Sequence, residues 1–341
     1  MTTAAPFDLA ELEEAREPAE ERGSGRDDVR LLVARAWDAL EHAHFTELPE
    51  LLDPGDLLVI NTSATLPAAV AVRGAQDGLT LNLSNPARGE EPNRWLAELR
   101  HEGERHRGGR AGEVLLLPAG ATAVLLEQDP HERLWLVGLS VPGSVPDYLA
   151  RHGRPIRYRH LQRDWPLERY RTVYATEPGS AEMPSAGRAF TPELVTRLVA
   201  RGVDLAPLVL HAGVSSLEVG EAPRPEPFRV PPSTAGRVNL TRELGGRVIA
   251  VGTTVVRALE SAVGEDGRSR PADGWADLVI EPGTPVRALD GLLTGFHDRD
   301  SSHLAMLQAI AGRDLLERSY DEARQTGYLR HEFGDLHLLL P

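Results

Sequence analysis

GGRVIAVGTTVVRALESA, residues 245–262, decides the fold. Its apolar run within 247–252 does not alternate with polar residues, which predicts a strand covered on both faces. Beyond Gly252-Thr253-Thr254 the apolar positions fall at helical spacing, predicting a helix over 255–263. A strand that passes through a glycine turn into a helix is the repeating unit of an α/β layer. The turn offers backbone N–H groups and a helix N-terminus at the sheet edge where open α/β folds take polar or anionic ligands. Gly252, Thr253, Thr254 and Arg257 are therefore candidate ligand contacts, with Thr254 as a plain helix N-cap the alternative.

The alternation continues on both sides. DLLVIN at 56–61 follows a Pro-Gly turn and PLVLH fills 207–211, and both predict strands. Thr191-Pro192-Glu193 opens a helix that Gly202 closes. Further strands are expected over 278–281 and 335–340, and helices over 302–311 and 314–325. Behind Asp27 and Asp28, the spacing of Val29, Leu32, Val33, Ala36, Trp37 and Leu40 predicts another helix. The Pro-rich stretch 221–232 reads as a loop. From Ala68 to Leu139 the texture changes to short runs (VAVRG, LTLNLS, EVLLLP, TAVLLE, LWLVGLS) punctuated by turns such as Asp77-Gly78 and Ala119-Gly120. The expected fold class is α/β: a mostly parallel sheet with flanking helices over 1–66 and 146–341, interrupted by a small inserted all-β barrel domain over 67–145.

Composition narrows the chemistry. All 37 cations among the 341 residues are arginine, and there is no cysteine. No lysine means no Schiff-base enzyme, no pyridoxal-phosphate anchor and no Walker-A phosphate loop. No cysteine means no thiol nucleophile, disulfide, thiolate zinc site or iron–sulfur cluster. No apolar run reaches the roughly 18 residues of a membrane span, and the acidic N-terminus is unlike a secretory signal, so a cytoplasmic protein is expected. Nothing in the sequence fixes the oligomeric state, and a monomer is the expectation. The net charge of −14 is uneven. Residues 1–28 carry nine acids against three arginines, and are expected to be disordered or strapped over the surface. Residues 151–171 carry seven arginines, among them Arg151, Arg154, Arg157, Arg159 and Arg171, interleaved with Tyr158, Trp165 and Tyr170. That cluster suits docking on a phosphate backbone, or else is a solvated face.

Two loops and a few histidines could carry chemistry. PGSAEMPSAGRAFT at 178–191 is long and non-periodic, which favours function, and Gly179, Ser180, Ser185 and Gly187 read as hydrogen-bonding positions. It lacks the Gly-x-Ser-x-Gly frame of a nucleophile elbow. In GFHDRDSSH at 295–303, His297, Asp298, Asp300 and His303 resemble divalent-metal ligands, but their spacing fits one helical face poorly, and no metal is expected. His101 and His106 are five apart, unlike a zinc-protease helix, and His42 and His44 read as surface or packing residues. His211, at the end of a strand before Gly213, is either a pocket residue or a satisfied interior one.

Taken in order, these stretches resemble the S-adenosylmethionine:tRNA ribosyltransferase-isomerase family (QueA) of queuosine biosynthesis. The resemblance runs through LLDPGDLLVINTSATLPA (51–68), ERYRTVYA (168–175), PGSAEMPSAGRAFTPELVTRLVARGV (178–203), LHAGV (210–214), 245–262, DGLLTGFH (290–297) and FGDLHLLL (333–340). It implies that S-adenosylmethionine donates its ribosyl carbons to the aminomethyl group of a 7-deazaguanine in tRNA, giving epoxyqueuosine, adenine and methionine. It further implies cofactor contacts at 252–254, Arg257 and the 179–187 loop. Proton transfer would fall to His211 and His297, with Asp335 orienting one of them, and tRNA contact to the 151–171 arginines. The chain departs from the family where the usual loop histidine is Ala189, where 221–232 replaces a histidine-rich segment, and at Gly295, Asp298, Arg299, Thr62 and Ser63. Those departures leave open a relative with another, possibly small-molecule, acceptor, or a catalytically inactive RNA- or partner-binding module.

Overall fold

The structure is a computed structural model, which describes residues 11–341 except 24, 37, 75–77, 90, 92, 215–222 and 299–300. Its centre is a nine-stranded sheet. From one edge the strands are Ala272–Ala276, Glu226–Val230, Asp204–Leu210, Leu57–Asn61, Val248–Val251, Gly291–Gly295, Leu336–Leu340, Arg30–Arg35 and Glu41–His44. Each central strand divides its side chains between two apolar layers. Leu57, Val59, Val248, Ala250 and Leu292 pack into one, and Leu58, Ile60, Ile249, Val251 and Leu293 into the other. Burial on both faces is what the unbroken apolar runs dictate. Each fully buried leucine contributes about 1.5–3 kcal/mol.

The sheet is mixed, not mostly parallel. Asp204–Leu210, Leu57–Asn61, Val248–Val251 and Gly291–Gly295 run parallel to one another, and Leu336–Leu340 runs parallel to Arg30–Arg35. The other four pairings are antiparallel. Two helices, Ser302–Ala311 and Arg313–Gln325, separate Gly291–Gly295 from Leu336–Leu340. One crossover helix returns the chain for a parallel strand; a second reverses it again, so the strand enters antiparallel.

Three local expectations need correction. Residues 30–35 form a strand instead of a helix: Leu32 and Ala34 enter one apolar layer, Leu31 and Val33 the other. Trp37 lies outside the described residues. The 221–232 stretch contains the strand Glu226–Val230, in which Pro227, lacking an N–H, uses its carbonyl to accept the N–H of His211. The strand expected over 278–281 lies earlier, at Ala272–Ala276, and Ile280 fills the core from irregular backbone.

Residues 69–140 build a second, antiparallel sheet in the order Val114–Leu116, Thr122–Gln128, Trp135–Ser140, Arg94–His101, Leu79–Pro86 and Ala69–Ala71, with Glu104–Arg105 pairing on Arg94–His101. It curls far enough for Arg73 N–H to reach Leu116 C=O at 2.7 Å across its two edges. Its apolar face closes on Tyr148 and Leu149 of helix Val145–His152.

One ion pair pins the starts of two central strands. Asp56, just before Leu57, accepts the N–H of Asp53 and both the backbone N–H and Nε–H of Arg247, just before Val248. Burial pushes the Asp56 carboxyl up, but the Arg247 side chain and those N–H donors outweigh it and hold it below its ordinary value. A carboxyl depressed in the fold stabilises above its unfolded value of about 3.9, and that stabilisation is lost as pH falls through the lower folded value. Asp56→Asn is expected to cost about 1.5–3 kcal/mol at neutral pH. Urea melts at about pH 6 and about pH 3 should show a smaller acid-induced loss in the variant than in the parent chain.

Candidate active site

The strand-to-helix turn forms as expected. Val248–Val251 ends at Gly252, whose φ of 92° is a left-handed conformation costly for any residue with a Cβ, and helix Thr253–Ser261 starts directly after it. Gly252 itself is the N-cap, not Thr254. Asn61, buried at the end of Leu57–Asn61, braces the turn: its Nδ2 donates to Thr254 Oγ1 (3.2 Å) and Leu210 C=O (2.8 Å), and its Oδ1 accepts from the N–H groups of Ser63 and Leu210. The sequence offers no signal for this role beyond an amide closing an apolar strand.

Gly252, Thr253, Thr254 and Arg257 open onto a cleft of about 1140 Å³. Ser185 and Ala186 bring the 178–191 loop to it, and His297 and His303 approach from the segment after Gly291–Gly295. The cleft also has walls from Asn85 of the antiparallel sheet and from Arg157–His160. Five separated stretches thus converge on one space.

Arg257 is largely committed within the protein. It ion-pairs with Glu226 and donates to the carbonyls of Ala276 (2.7 Å) and Arg224 (2.8 Å). Burial raises the Glu226 carboxyl despite Arg257 and the Gly213 N–H, which donates to its Oε1 at 2.8 Å. The pair fixes the Gly213 side of the cleft.

His297 stands with its Nε2 2.9 Å from Thr294 Oγ1, while its backbone N–H donates to the Tyr320 hydroxyl at 3.0 Å. Its ring lies 4.7 Å from that of His303. Burial, reinforced by the neighbouring histidines, holds His297 well below its ordinary value; burial also takes His303 down to about 4. Both rings are neutral at pH 7, so each has a ring nitrogen able to accept a proton. Among the described residues of the metal-like pattern at 295–303, His297 and His303 come together while Asp298 pairs with Arg330; Asp300 lies outside the described residues. Among the described residues, one trio of metal-ligating side chains does come together, His160, His331 and Glu332, all on the cleft.

Other expected residues fall behind the cleft wall. His211 Nδ1 is 2.7 Å from Ser63 Oγ, which is 2.6 Å from Ser180 Oγ, and Gly179 packs so closely that an added Cβ would meet the imidazole at 2.3 Å. Its neighbours Ala212 and Gly213 line the cleft. Gly187 packs against the Tyr174 hydroxyl in the same bracing role. Asp335 orients no histidine: its carboxylate accepts the backbone N–H groups of Arg30 and Leu329, both at 2.9 Å, tying a strand to a turn. Ala189 packs in the core beside Phe190 and Leu194.

The arginine cluster divides. Arg157 and Arg159 line the cleft, and Arg151 and Arg154 are exposed beside it in sequence. Arg171 instead holds the Thr65 carbonyl through Nε and a terminal nitrogen, both at 3.2 Å. The acidic N-terminal segment partly neutralises the cluster, Glu21 meeting Arg163 and both Glu20 and Glu21 meeting Arg169.

Comparison with known proteins places this arrangement. A family profile described as "Queuosine biosynthesis protein" matches residues 2–339. An S-adenosylmethionine:tRNA ribosyltransferase-isomerase of Symbiobacterium thermophilum is 37% identical over 343 residues, covering 98% of each chain. Its namesake in Desulfitobacterium hafniense is 36% identical, again with 98% of each chain covered. A crystal structure of S-adenosylmethionine tRNA ribosyltransferase from Thermotoga maritima matches 98% of this chain and 99% of its own, with a TM-score of 0.53 and 29% identity.

Proposed function

The chain belongs to the queuosine biosynthesis protein family, and on that premise we propose how its cleft performs S-adenosylmethionine-dependent ribosyl transfer and isomerisation on tRNA. The observation that carries the reading is the convergence of the 252–254 turn, the 185–186 loop and His297 on one cleft. S-adenosylmethionine sits against the turn, with Gly252 letting its polar groups approach the backbone N–H groups of Thr253 and Thr254. His297, uncharged, takes the acidic proton beside the sulfonium, and Thr294 fixes its ring. The acceptor amine then gains the ribosyl carbon, and adenine and methionine leave. Ser180, Gly179, Gly187 and His211 position the loop and the cleft wall.

tRNA is the macromolecular partner, docking on Arg151, Arg154, Arg157 and Arg159, with Arg171 holding the backbone beneath them. We take residues 67–145 as an inserted unit whose Asn85 side faces the same cleft, while 1–66 and 146–341 hold the cofactor. No metal is required for the transfer itself. Among the described residues no helix is long and apolar enough to cross a membrane, and we place the enzyme in the cytoplasm as a monomer.

The test is incubation of the chain with S-adenosylmethionine and tRNA carrying the aminomethyl base. The expected result is release of adenine and methionine with conversion of the tRNA base to epoxyqueuosine. Release without change in the tRNA would indicate a different acceptor, which the altered positions Ala189 and 221–232 make the second reading. Absence of both products overturns the proposal.

A further inference from the structure

We propose that His160, His331 and Glu332 form a binding site for a divalent cation of the zinc class on the wall of the cleft. The ligand atoms of the three side chains all lie within 4.8 Å of one another. His160 Nε2 and Glu332 Oε2 are 3.2 Å apart, within ion-pair range, yet both atoms are buried and neither makes a well-aligned hydrogen bond, which leaves both free to ligate an ion. Bonds of about 2.0–2.1 Å to a tetrahedral ion place neighbouring ligand atoms about 3.3 Å apart, close to that separation. The His160 side chain is only 8% exposed. Its ring stacks on His331 with centroids 4.5 Å apart, which brings the two imidazoles to one side of the cleft.

Two further features hold His331 in place. Its φ of 73° lies in the left-handed region, where histidine is enriched among residues with a side chain, and its carbonyl accepts the Gly334 N–H at 3.0 Å in a turn. Its Nε2 lies 3.4 Å from Glu14, a carboxylate placed to orient the ring as outer carboxylates orient metal-bound histidines.

Two imidazoles and one carboxylate suit Zn²⁺, or Co²⁺ and Ni²⁺, better than the oxygen-seeking Mg²⁺ or Ca²⁺. Three protein ligands leave a further position, which a water or a donor atom of a molecule in the cleft can fill. The site uses none of the residues assigned to the transfer chemistry above, and its occupancy is measured with no substrate present.

The full chain, stripped with a chelator, is dialysed against Zn²⁺ or Co²⁺ and its metal content measured after gel filtration. About one equivalent should remain, and bound Co²⁺ should show the visible absorption of a low-coordinate site. Glu332→Gln and His331→Ala should each weaken retention by at least about tenfold, whereas His42→Ala, off the cleft, should retain the ion. Glu332→Gln keeps the side-chain shape, so an unfolded His331 variant leaves the test intact; circular dichroism checks both. Substoichiometric metal in the parent chain, or equal retention in Glu332→Gln, would overturn the site.

Discussion

Replacing His297 by alanine should lower turnover by about 10²–10⁴-fold, the usual contribution of a positioned proton-transfer group. Its Nε2 meets only the Thr294 hydroxyl among the contacts described, a partner that fixes the ring without neutralising a charge. Deleting the imidazole removes the proposed proton acceptor but leaves Gly252, Thr253 and Thr254, the proposed cofactor contacts, in place, so S-adenosylmethionine affinity should change little. Calorimetry against single-turnover adenine release separates the two quantities. A pH series sharpens the result: burial keeps His297 uncharged well below its ordinary value, so the parent rate should show no break near about pH 6.5 from this group. Such a break, or a variant as fast as the parent, would remove His297 from the mechanism.

Arg257→Ala should cost about 3–5 kcal/mol of stability, the range for stripping one partner from a buried ion pair. The substitution leaves Glu226 buried beside apolar neighbours and frees the carbonyls of Arg224 and Ala276 from their donors. Glu226 already sits above its ordinary value through burial, and without the guanidinium it should take up a proton at still higher pH. Its tie to the Gly213 N–H slackens with it, so the cleft wall should loosen as well as the core. Urea melts measure the loss. Combining Arg257→Met with Glu226→Gln should recover part of it, because the amide oxygen still accepts from Gly213 while no charge stays buried. Failure of the double variant to recover would locate the damage in packing instead.

Much of this was legible from residue order. The glycine turn at 252, the Thr191 cap and the two helices after Ser301 carry their signals within a few residues, and all appear. The stretch at 30–35 misleads because a strand buried on both faces and a helix buried on one can share apolar positions over half a dozen residues. Parallel or antiparallel entry depends on how many crossover helices intervene, which shows only when the whole layer is laid out. The same holds for the cleft. The stretches at 185–186 and 252–254 that line the cleft were visible, but the brace from Asn61 and the meeting of His160 with His331 depend on chain segments far apart in sequence. Asp335 misled for a similar reason: its two N–H partners lie on either side of it in the fold, and neither forms part of a recognisable motif.

The strand Leu336–Leu340 lies between Gly291–Gly295 and Arg30–Arg35, which carries a consequence for synthesis. Arg30–Arg35 leaves the ribosome early, but its parallel partner follows roughly 300 residues later, tens of seconds at typical elongation rates. Until then, two strand edges that the finished sheet will bury remain open to other chains. The curled sheet of 69–140 faces no such wait, since its neighbours follow one another closely. The nascent chain therefore can complete its smaller sheet first, and its nine-stranded layer is completed last.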